Sequence, residues 1–532
     1  MRFLPVNHHA LLVELPDLAC TLDLLAALQD EPPAGVNDLV PAAHTILVCF
    51  DPRQTHASAL RRAIEGLPLQ ARQRGGDERV EIPVRYDGED LAEVAALLGI
   101  DVAELIRRHT GQDYTVAFTG FAPGFAYLSG GHDSLNVPRR NSPRIRVPAG
   151  AVALAGGFSA VYPAASPGGW QLIGTTDVRM WDLQRDSPAL LRPGMRVRFV
   201  DVASRKSPAG TLPRPVLHKR PVEIAVAKAS DAPMLRVHAT GLQTLFQDSG
   251  RFGQAGQGVS AAGAMDQGAM RRANRLVGNT PGRPVLEALA GGLQLISHGD
   301  TVVAVTGADG PLTLTTAHGQ RWPVPRNQPF ALADGDGLML GEPTAGLRSY
   351  LAVRGGFLVD PVLGSVSTDT LAKVGPAALA VGQPLLIGAA PRAAVAEADM
   401  ALPPLPRAGD TVTLDVLLGP RTDWFTPEAV ALLGTQCWQV TSQSNRVGLR
   451  LAGASALARS VCQELPSEGT ALGAIQVPPS GQPVLFLADH PLTGGYPVIG
   501  CVAPHHLDLA GQIPPGAWIR FHPLAPFAEI QG

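Results

Sequence analysis

The sequence predicts a β-rich α+β fold, and three features carry that prediction. Its 58 glycines and 48 prolines are scattered without a repeat, which marks frequent turns between short strands rather than a collagen-like or low-complexity chain. Short β-branched apolar runs end in turn residues, as TILVCF at 45–50 ends in Asp51-Pro52. Helical spacing is confined to a few brief stretches.

Taken in order, the elements suggest several units, since 532 residues exceed what one hydrophobic core normally serves. The strand at 45–50 is followed by a helix at 57–67, where Leu60, Ile64 and Leu67 share a face. Residues 1–82 thus read as a small α/β domain. A second unit, 83–205, begins with helices at 90–98 and 102–109 and turns to strands and Gly/Pro turns from Val116 onward. The clearest break is 203–233, rich in Pro, Ala, Ser and Lys/Arg, where prolines deny helix and central strand; 206–232 reads as a linker. The last unit, 233–532, opens with a strand at 235–239 and is mostly short strands. Its helices are expected at 269–276, where Met270, Ala273 and Leu276 share a face, and at 427–433, with Pro427 in the first turn.

Bulk chemistry excludes several functions. Hydrophobic residues at 45% and charged ones at 17% describe a globular chain. Lys+Arg 43 against Asp+Glu 46, a net −3, offers no basic field for nucleic acid or an anionic membrane, and 5% aromatics offers little for base stacking. Five cysteines without a CxxC pair read as reduced thiols in a cytoplasmic protein. The start MRFLPVNHHALLVELPD lacks a signal peptide's long apolar core, and no apolar run is long enough to span a membrane. There is no GxxxxGK followed by Ser or Thr, so an ATP site would not be a P-loop.

Several motifs carry candidate chemistry. In TGFAPGFAYL, 119–128, Gly120, Pro123 and Gly124 fix a tight path while Phe121, Phe125 and Tyr127 alternate with small residues. This is either a hairpin with a buried aromatic face or a loop admitting a ligand to the backbone. In PRRNSPRIRVP, 138–148, Arg139, Arg140, Arg144 and Arg146 suit a carboxylate or phosphate, or else guard a strand edge. Gly168, Gly169 and Trp170 follow and lead into Ile173-Gly174-Thr175-Thr176, whose amides and hydroxyls suit a pocket lining. Gln247, Asp248 and Arg251 put an amide, a carboxylate and a guanidinium within one turn, either a structural pair or a base with its orienting groups. Glu468 lies in PSEGT, and Gln476, Asp489, Thr493, Gly494, Gly495 and Tyr496 lie in a Gly-rich segment at 473–502. His132, His490, His505 and His506 lack metal-ligand spacing. On a strand the adjacent His505 and His506 would face opposite sides, so no metal site is expected.

Taken together these motifs resemble a known family. GFAPGFAYL, PRRNSPR, VPAGAVALAGG and SPGGWQLIGTT, in that order, are similar to the B subunits of 5-oxoprolinases, the kinase-A inhibitor or allophanate hydrolase subunit 1 family. LQTLFQDSGRFG, GVSAAGAMD, NRLVGN, RGGF, GSVST, SNRVGLRL and PSEGT resemble the C subunits, the kinase-A antagonist or allophanate hydrolase subunit 2 family. Ala151 stands where that pattern has Ser, Ala160 where it has Gly, and Asn445 and Gln383 where it has Asp. The stretch LAKVGPAALAVGQPL at 371–385 lacks the expected Gly/Arg-rich loop.

The resemblance implies cyclophilin-like β-barrels, two of them within 233–532, with the active cleft between the B-like and C-like halves. It implies ATP-dependent opening of 5-oxo-L-proline to L-glutamate with a separate 5-oxoprolinase A subunit, using ATP with Mg2+. Asp248 and Asp489 are then the expected catalytic residues. Gly120, Phe121, Pro123, Gly124, Arg139, Arg144, Arg146, Gly168, Gly169, Trp170, Gln247, Arg251, Glu468, Gln476, Gly494, Gly495 and Tyr496 are expected to bind substrate or nucleotide. Two alternatives follow from the same resemblance. One is the carboxyltransferase region of urea carboxylase, although this chain has no Met-Lys carrier motif for covalent biotin; the other is a non-catalytic regulator of a histidine kinase.

Overall fold

The computed structural model describes residues 1–68, 79–140, 142, 144–204, 233–397, 402 and 404–531. The linker expected at 206–232 lies outside them. Strand outweighs helix, 36% against 16%, and the sheets form closed and nearly closed barrels, as a β-rich α+β chain should.

The first four strands make an antiparallel sheet in the order Arg2–Asn7, Ala10–Glu14, Thr45–Phe50, Val36–Pro41. Helices Leu18–Asp30 and Ala57–Glu65 cover one face, where Ile46, Val48 and Phe50 meet Leu24, Leu28, Leu60 and Ile64. The other face turns Leu4, Leu12, Val40 and Leu47 onto Ala255, Ala471, Leu492 and Cys501 of the C-terminal half. TILVCF is therefore apolar without alternation because both of its faces are buried. Helix Leu18–Asp30 has no counterpart in the sequence reading: LACTLDLLAALQD is nearly apolar throughout, so its period is hidden. Asp17 caps it, accepting from the Cys20 amide at 2.7 Å.

A seven-stranded sheet follows, from Gln171–Thr175 through Ala151–Ala155, Phe158–Val161, Ala126–Ser129, Tyr114–Thr119 and Arg196–Asp201 to Arg79–Val84. Pro83 is tolerated because its strand is the sheet's edge. Helices Leu91–Leu97 and Val102–Thr110 lie near the expected positions and bury Val94 and Leu105. Residues 234–386 form a six-stranded and a five-stranded sheet around one core of Leu235, Leu286, Leu295, Val303, Leu338 and Leu351. Helix Gln267–Leu276, capped by Asp266, packs on strands Thr301–Asp309 and Ala345–Val353. Finally, seven strands between Thr411–Leu418 and Trp518–Pro523 close a barrel through a parallel pairing of those two. Helix Pro427–Thr435 begins at Pro427 and packs against the closing strand. Among the described residues no helix is long and apolar enough to cross a membrane.

Candidate functional site

The two halves meet along a buried seam. Thr119 Oγ1 donates to the Ala255 carbonyl at 3.0 Å, and the Gly124 amide to the Gln257 carbonyl at 2.9 Å. Arg421, almost fully buried, pairs with Glu468 beside it and reaches Glu14 in the first sheet at 2.6 Å.

On this seam lies a cavity of about 210 Å³. Phe121, Ala122 and Pro123 come from the hairpin loop, Ser166 and Pro167 from the following ribbon, and Ser260, Asp369 and His490 from the C-terminal half. The hairpin itself is the structural reading of TGFAPGFAYL: Tyr114–Thr119 pairs with Ala126–Ser129, and Phe125 and Tyr127 are buried. At its tip Phe121 takes a left-handed φ of 64° and stands 38% exposed over the cavity, so both readings hold together. Gly120 is obligatory for a different reason, because a Cβ there would sit 2.2 Å from Thr493 Oγ1.

Asp369 is the carboxylate on the cavity wall. Its Oδ1 accepts from the Leu371 and Ala372 amides at 2.9 and 2.8 Å, and its Oδ2 accepts from Ser260 Oγ at 2.7 Å. Burial, then the charge of Asp489 close by, raises its pKa to about 6 against the opposing pull of Arg251. His490 lines the same cavity. Its Nδ1 lies 2.9 Å from the Pro491 carbonyl, which can only accept, so Nδ1 carries the proton and Nε2 is the basic nitrogen. Burial lowers the pKa of His490, which keeps the ring neutral at pH 7.

A second cavity, about 500 Å³, lies across an aromatic partition. Phe121 faces the small cavity, while Tyr127 and Trp170, which pack with Phe125 at 5.1 and 5.5 Å, face the large one. Phe118, Phe158, Arg139 and Glu464 also line it, with Arg139 and Glu464 paired at 3.2 Å.

The expected site residues therefore scatter. Phe121 and Pro123 line the small cavity, and Arg139 and Trp170 the large one. The arginines do not converge. Arg144 is tied to Asp90 and Glu89 at 2.7 and 3.1 Å, Arg140 shares Asp90 at 2.6 Å, and Arg146 is exposed on the same strand. Gly168 lies over Tyr162, where a Cβ would meet the hydroxyl at 2.3 Å, and the Gly169 carbonyl accepts from the Arg140 amide. Gln476 donates to the Tyr496 carbonyl and packs against Gly494, Gly495 sits beside Leu465, and Tyr496 lies exposed under Arg459. Glu468 is buried in its pair with Arg421.

The two expected catalytic aspartates lie outside the lining of both cavities, and protein donors surround each. Asp248 accepts from Ser365 and Ser367 hydroxyls, both at 2.6 Å, and from the Gly250 and Val366 amides, both at 2.8 Å; neither cavity includes it. Gln247 donates to the Thr368 carbonyl, and Arg251 to Ser367 and Val362 carbonyls, so this trio knots one loop. Within the trio, Arg251 Nη1 finds no acceptor and Gln247 Oε1 no donor among the described residues. Asp489, fully buried, takes both arms of Arg446 at 2.9 and 3.0 Å and the Thr370 amide and hydroxyl at 2.8 and 2.6 Å. Arg446 also grips Glu287, which accepts from Tyr350 OH at 2.9 Å. Burial opposes the charge on Arg446, but Asp489 and Glu287 outweigh it and raise its pKa. With their lone pairs filled by protein donors, Asp248 and Asp489 hold backbone in place.

The residues missed are Ser260, Asp369 and His490. Ser260 lies inside GVSAAGAMD, Asp369 directly follows GSVST and His490 lies inside 473–502, and of the three only His490 stands out in the sequence, as a candidate metal ligand. Of the departures from the family pattern, Asn445 is exposed in a turn and accepts from the Val447 amide, and Gln383 accepts from the Ala380 amide in another. The altered stretch does touch the site, through Leu371 and Ala372.

Known proteins resemble both halves. Residues 1–191 match the family described as Carboxyltransferase domain, subdomain C and D, and residues 257–523 match Carboxyltransferase domain, subdomain A and B. The 5-oxoprolinase C subunit of Escherichia coli (strain K12) is 38% identical over 292 residues, 54% of this chain and 90% of that protein. The 5-oxoprolinase B subunit of Bacillus subtilis (strain 168) is 36% identical over 197 residues, 34% of this chain and 81% of that protein. The crystal structure of TTHA0988 matches at a TM-score of 0.80 and 37% identity, covering 96% of this chain and 99% of that one.

Proposed function

Since the chain belongs to the carboxyltransferase-domain family, as a fusion of B-like and C-like 5-oxoprolinase subunits, we propose that it is the B and C part of an ATP-dependent 5-oxoprolinase. The observation that carries this reading is the seam cavity, whose polar groups Ser260, Asp369 and His490 face Phe121-Ala122-Pro123 of the other half. At about 210 Å³ it falls below the roughly 300 Å³ at which drug-sized sites begin, so it suits a five-membered lactam and not a nucleotide.

In this reading the lactam ring packs on Phe121, its N–H donates to Asp369 Oδ2, and Arg251 behind Asp369 balances the negative charge. A lactam carbonyl is a poor electrophile. Transfer of the γ-phosphoryl group of ATP to its oxygen makes that oxygen a leaving group, and water then attacks the ring carbon. His490 Nε2 takes the proton from that water, a general-base step suited to a neutral imidazole. The ring nitrogen takes that proton back from His490 as the C–N bond breaks, which leaves γ-glutamyl phosphate. A second water hydrolyses it to L-glutamate and phosphate, completed with the A subunit, and ADP has already been formed in the phosphoryl transfer.

The 500 Å³ cavity suits the nucleotide, with Tyr127, Phe158 and Trp170 to face the base and Arg139 a phosphate. Mg2+ would enter with the phosphates and draw most ligands from them and from water, and Glu464 is the carboxylate on that wall. The chain would act in the cytoplasm, where ATP and 5-oxoproline are both at hand.

The family's carboxyltransferase description supports a second reading, transfer of a carboxyl group to an amide, with the biotin carrier supplied by another protein. One assay separates the two. Incubation with 5-oxo-L-proline, ATP, Mg2+ and the cognate A subunit should release glutamate and ADP together, and only with both proteins present. Absence of turnover with an active partner would favour carboxyl transfer.

A further inference from the structure

A separate cluster of chemistry lies on the closed barrel, in neither cavity. Asp415, on strand Thr411–Leu418, is faced by three imidazoles. His505 Nε2 lies 2.9 Å from Asp415 Oδ2, His506 Nδ1 lies 3.8 Å from the same oxygen, and His522 Nδ1 lies 2.8 Å from Oδ1. The ligand atoms of Asp415, His505 and His506 all fall within 4.8 Å of one another. The sequence spacing would send adjacent histidines to opposite faces of a strand. Here Pro504 opens a 3-10 turn, Pro504–His506, and both rings gather on one side, 4.4 Å apart. Three elements converge: this turn, the Asp415 strand, and strand Trp518–Pro523, where His522 is the ladder partner of Asp415.

We propose that Asp415, His505 and His506 bind a divalent first-row transition cation, zinc being the member to test, with His522 as a positioning residue on the second carboxylate oxygen. Two imidazoles and a carboxylate form the N,N,O donor set that zinc accepts, with a fourth position open to water. Zinc bonds of 2.0–2.1 Å in a tetrahedron place ligands about 3.3 Å apart. The present separations of 2.9 and 3.8 Å straddle that spacing, so small side-chain shifts complete the site. Exposure decides access: His505 is 55% exposed and His506 24%, so a hydrated ion reaches both.

One bond must be traded: His506 Nδ1 accepts from the Asp415 backbone amide at 2.9 Å, and the cation would take that lone pair. Burial of this amide is partial, so water can serve it instead.

The turn continues into residues that dock the barrel onto the central sheets. Asp508 accepts from the Gln267 and Gly268 amides at 2.8 and 3.0 Å, and Gln512 accepts from the Leu347 and Arg348 amides at 3.0 and 2.9 Å. A cation bound at its base would stiffen this latch.

The test is calorimetric titration of the full, chelator-stripped chain with ZnCl2 at pH 7.5, with Co2+ absorption as a second readout. The expected result is one saturable site per chain and a raised melting midpoint. Binding should be lost in Asp415→Ala and His505→Ala, weakened about 10-fold in His522→Gln, and unchanged in His318→Ala, an exposed histidine elsewhere. His505→Asn, which preserves the turn, serves if His505→Ala melts early. No saturable site, undiminished binding in Asp415→Ala, or a thiolate charge-transfer band with Co2+ would each overturn the assignment.

Discussion

Replacing Asp369 by Asn tests the cavity through stability as well as activity. The side chains share one shape: the Asn carbonyl can accept from the Leu371 and Ala372 amides, and its NH2 can donate to Ser260 Oγ. What changes is charge. A rise from 3.8 to about 6 means that the fold disfavours the ionised carboxyl, by burial first and Asp489 second, at a cost on the order of 3 kcal/mol at neutral pH. Because the folded pKa lies above the unfolded one, the stability tied to this group is full below pH 3.8 and is lost as pH rises through about 6. Asp369→Asn should therefore melt close to wild type at pH 4 and higher than wild type at pH 8, by roughly 2–4 °C per kcal/mol recovered. Turnover should fall at the same time, the usual opposition between an active site and stability. Scanning calorimetry at the two pH values decides it. A variant destabilised equally at both would show that Asp369 is an ordinary loop anchor.

Other substitutions follow from the same contacts. Arg446→Met leaves Glu287 and Asp489 buried without their cation and should cost about 3–5 kcal/mol, read as a fall in melting midpoint. Gly120→Ala should impair folding or turnover through its clash with Thr493, and Thr493→Ala in the same protein should restore part of the loss. Arg144→Ala should leave kcat unchanged while costing about 1–3 kcal/mol of stability, since its partner Asp90 keeps Arg140; a lost kcat would return Arg144 to the site. In the pH profile of kcat/KM, His490 and Asp369 set an acid limb at or below pH 6.5, with no fall between pH 7 and 8. A profile limited only above pH 7 would exclude both.

Much of the fold could be read from the chain, because turn residues and short helical spacings are local signals. The strand at 45–50 lies where TILVCF put it, and five helices fall within a few residues of expectation. Helix Leu18–Asp30 escaped notice because apolar residues such as Leu22, Ala26 and Ala27 continue beyond the face that buries Leu24, Leu25 and Leu28, and so mask its period. The site was less legible, since its chemistry is assembled over long separations. Arg446 and Glu287 are 159 residues apart, and no spacing rule joins them. Asp248 and Asp489 look catalytic in the sequence because acids in Gly-rich loops often are, yet the same loops supply the amides and hydroxyls that consume their lone pairs. Asp369 becomes visible, and His490 gains a reading other than metal binding, only when the seam closes around them. Likewise His505 and His506 mislead because a turn stands where their spacing was read on a strand.

That the seam cavity opens a lactam is tested most sharply by glutamate and ADP release from 5-oxo-L-proline and ATP with the cognate A subunit. Wild type and Asp369→Asn would be measured side by side. Wild type should give matched glutamate and ADP, and the variant at least a 100-fold loss while melting no lower at pH 8, as an interaction made in the transition state requires. Undiminished turnover by the well-folded variant would leave Asp369, and the cavity it lines, without a part in the reaction.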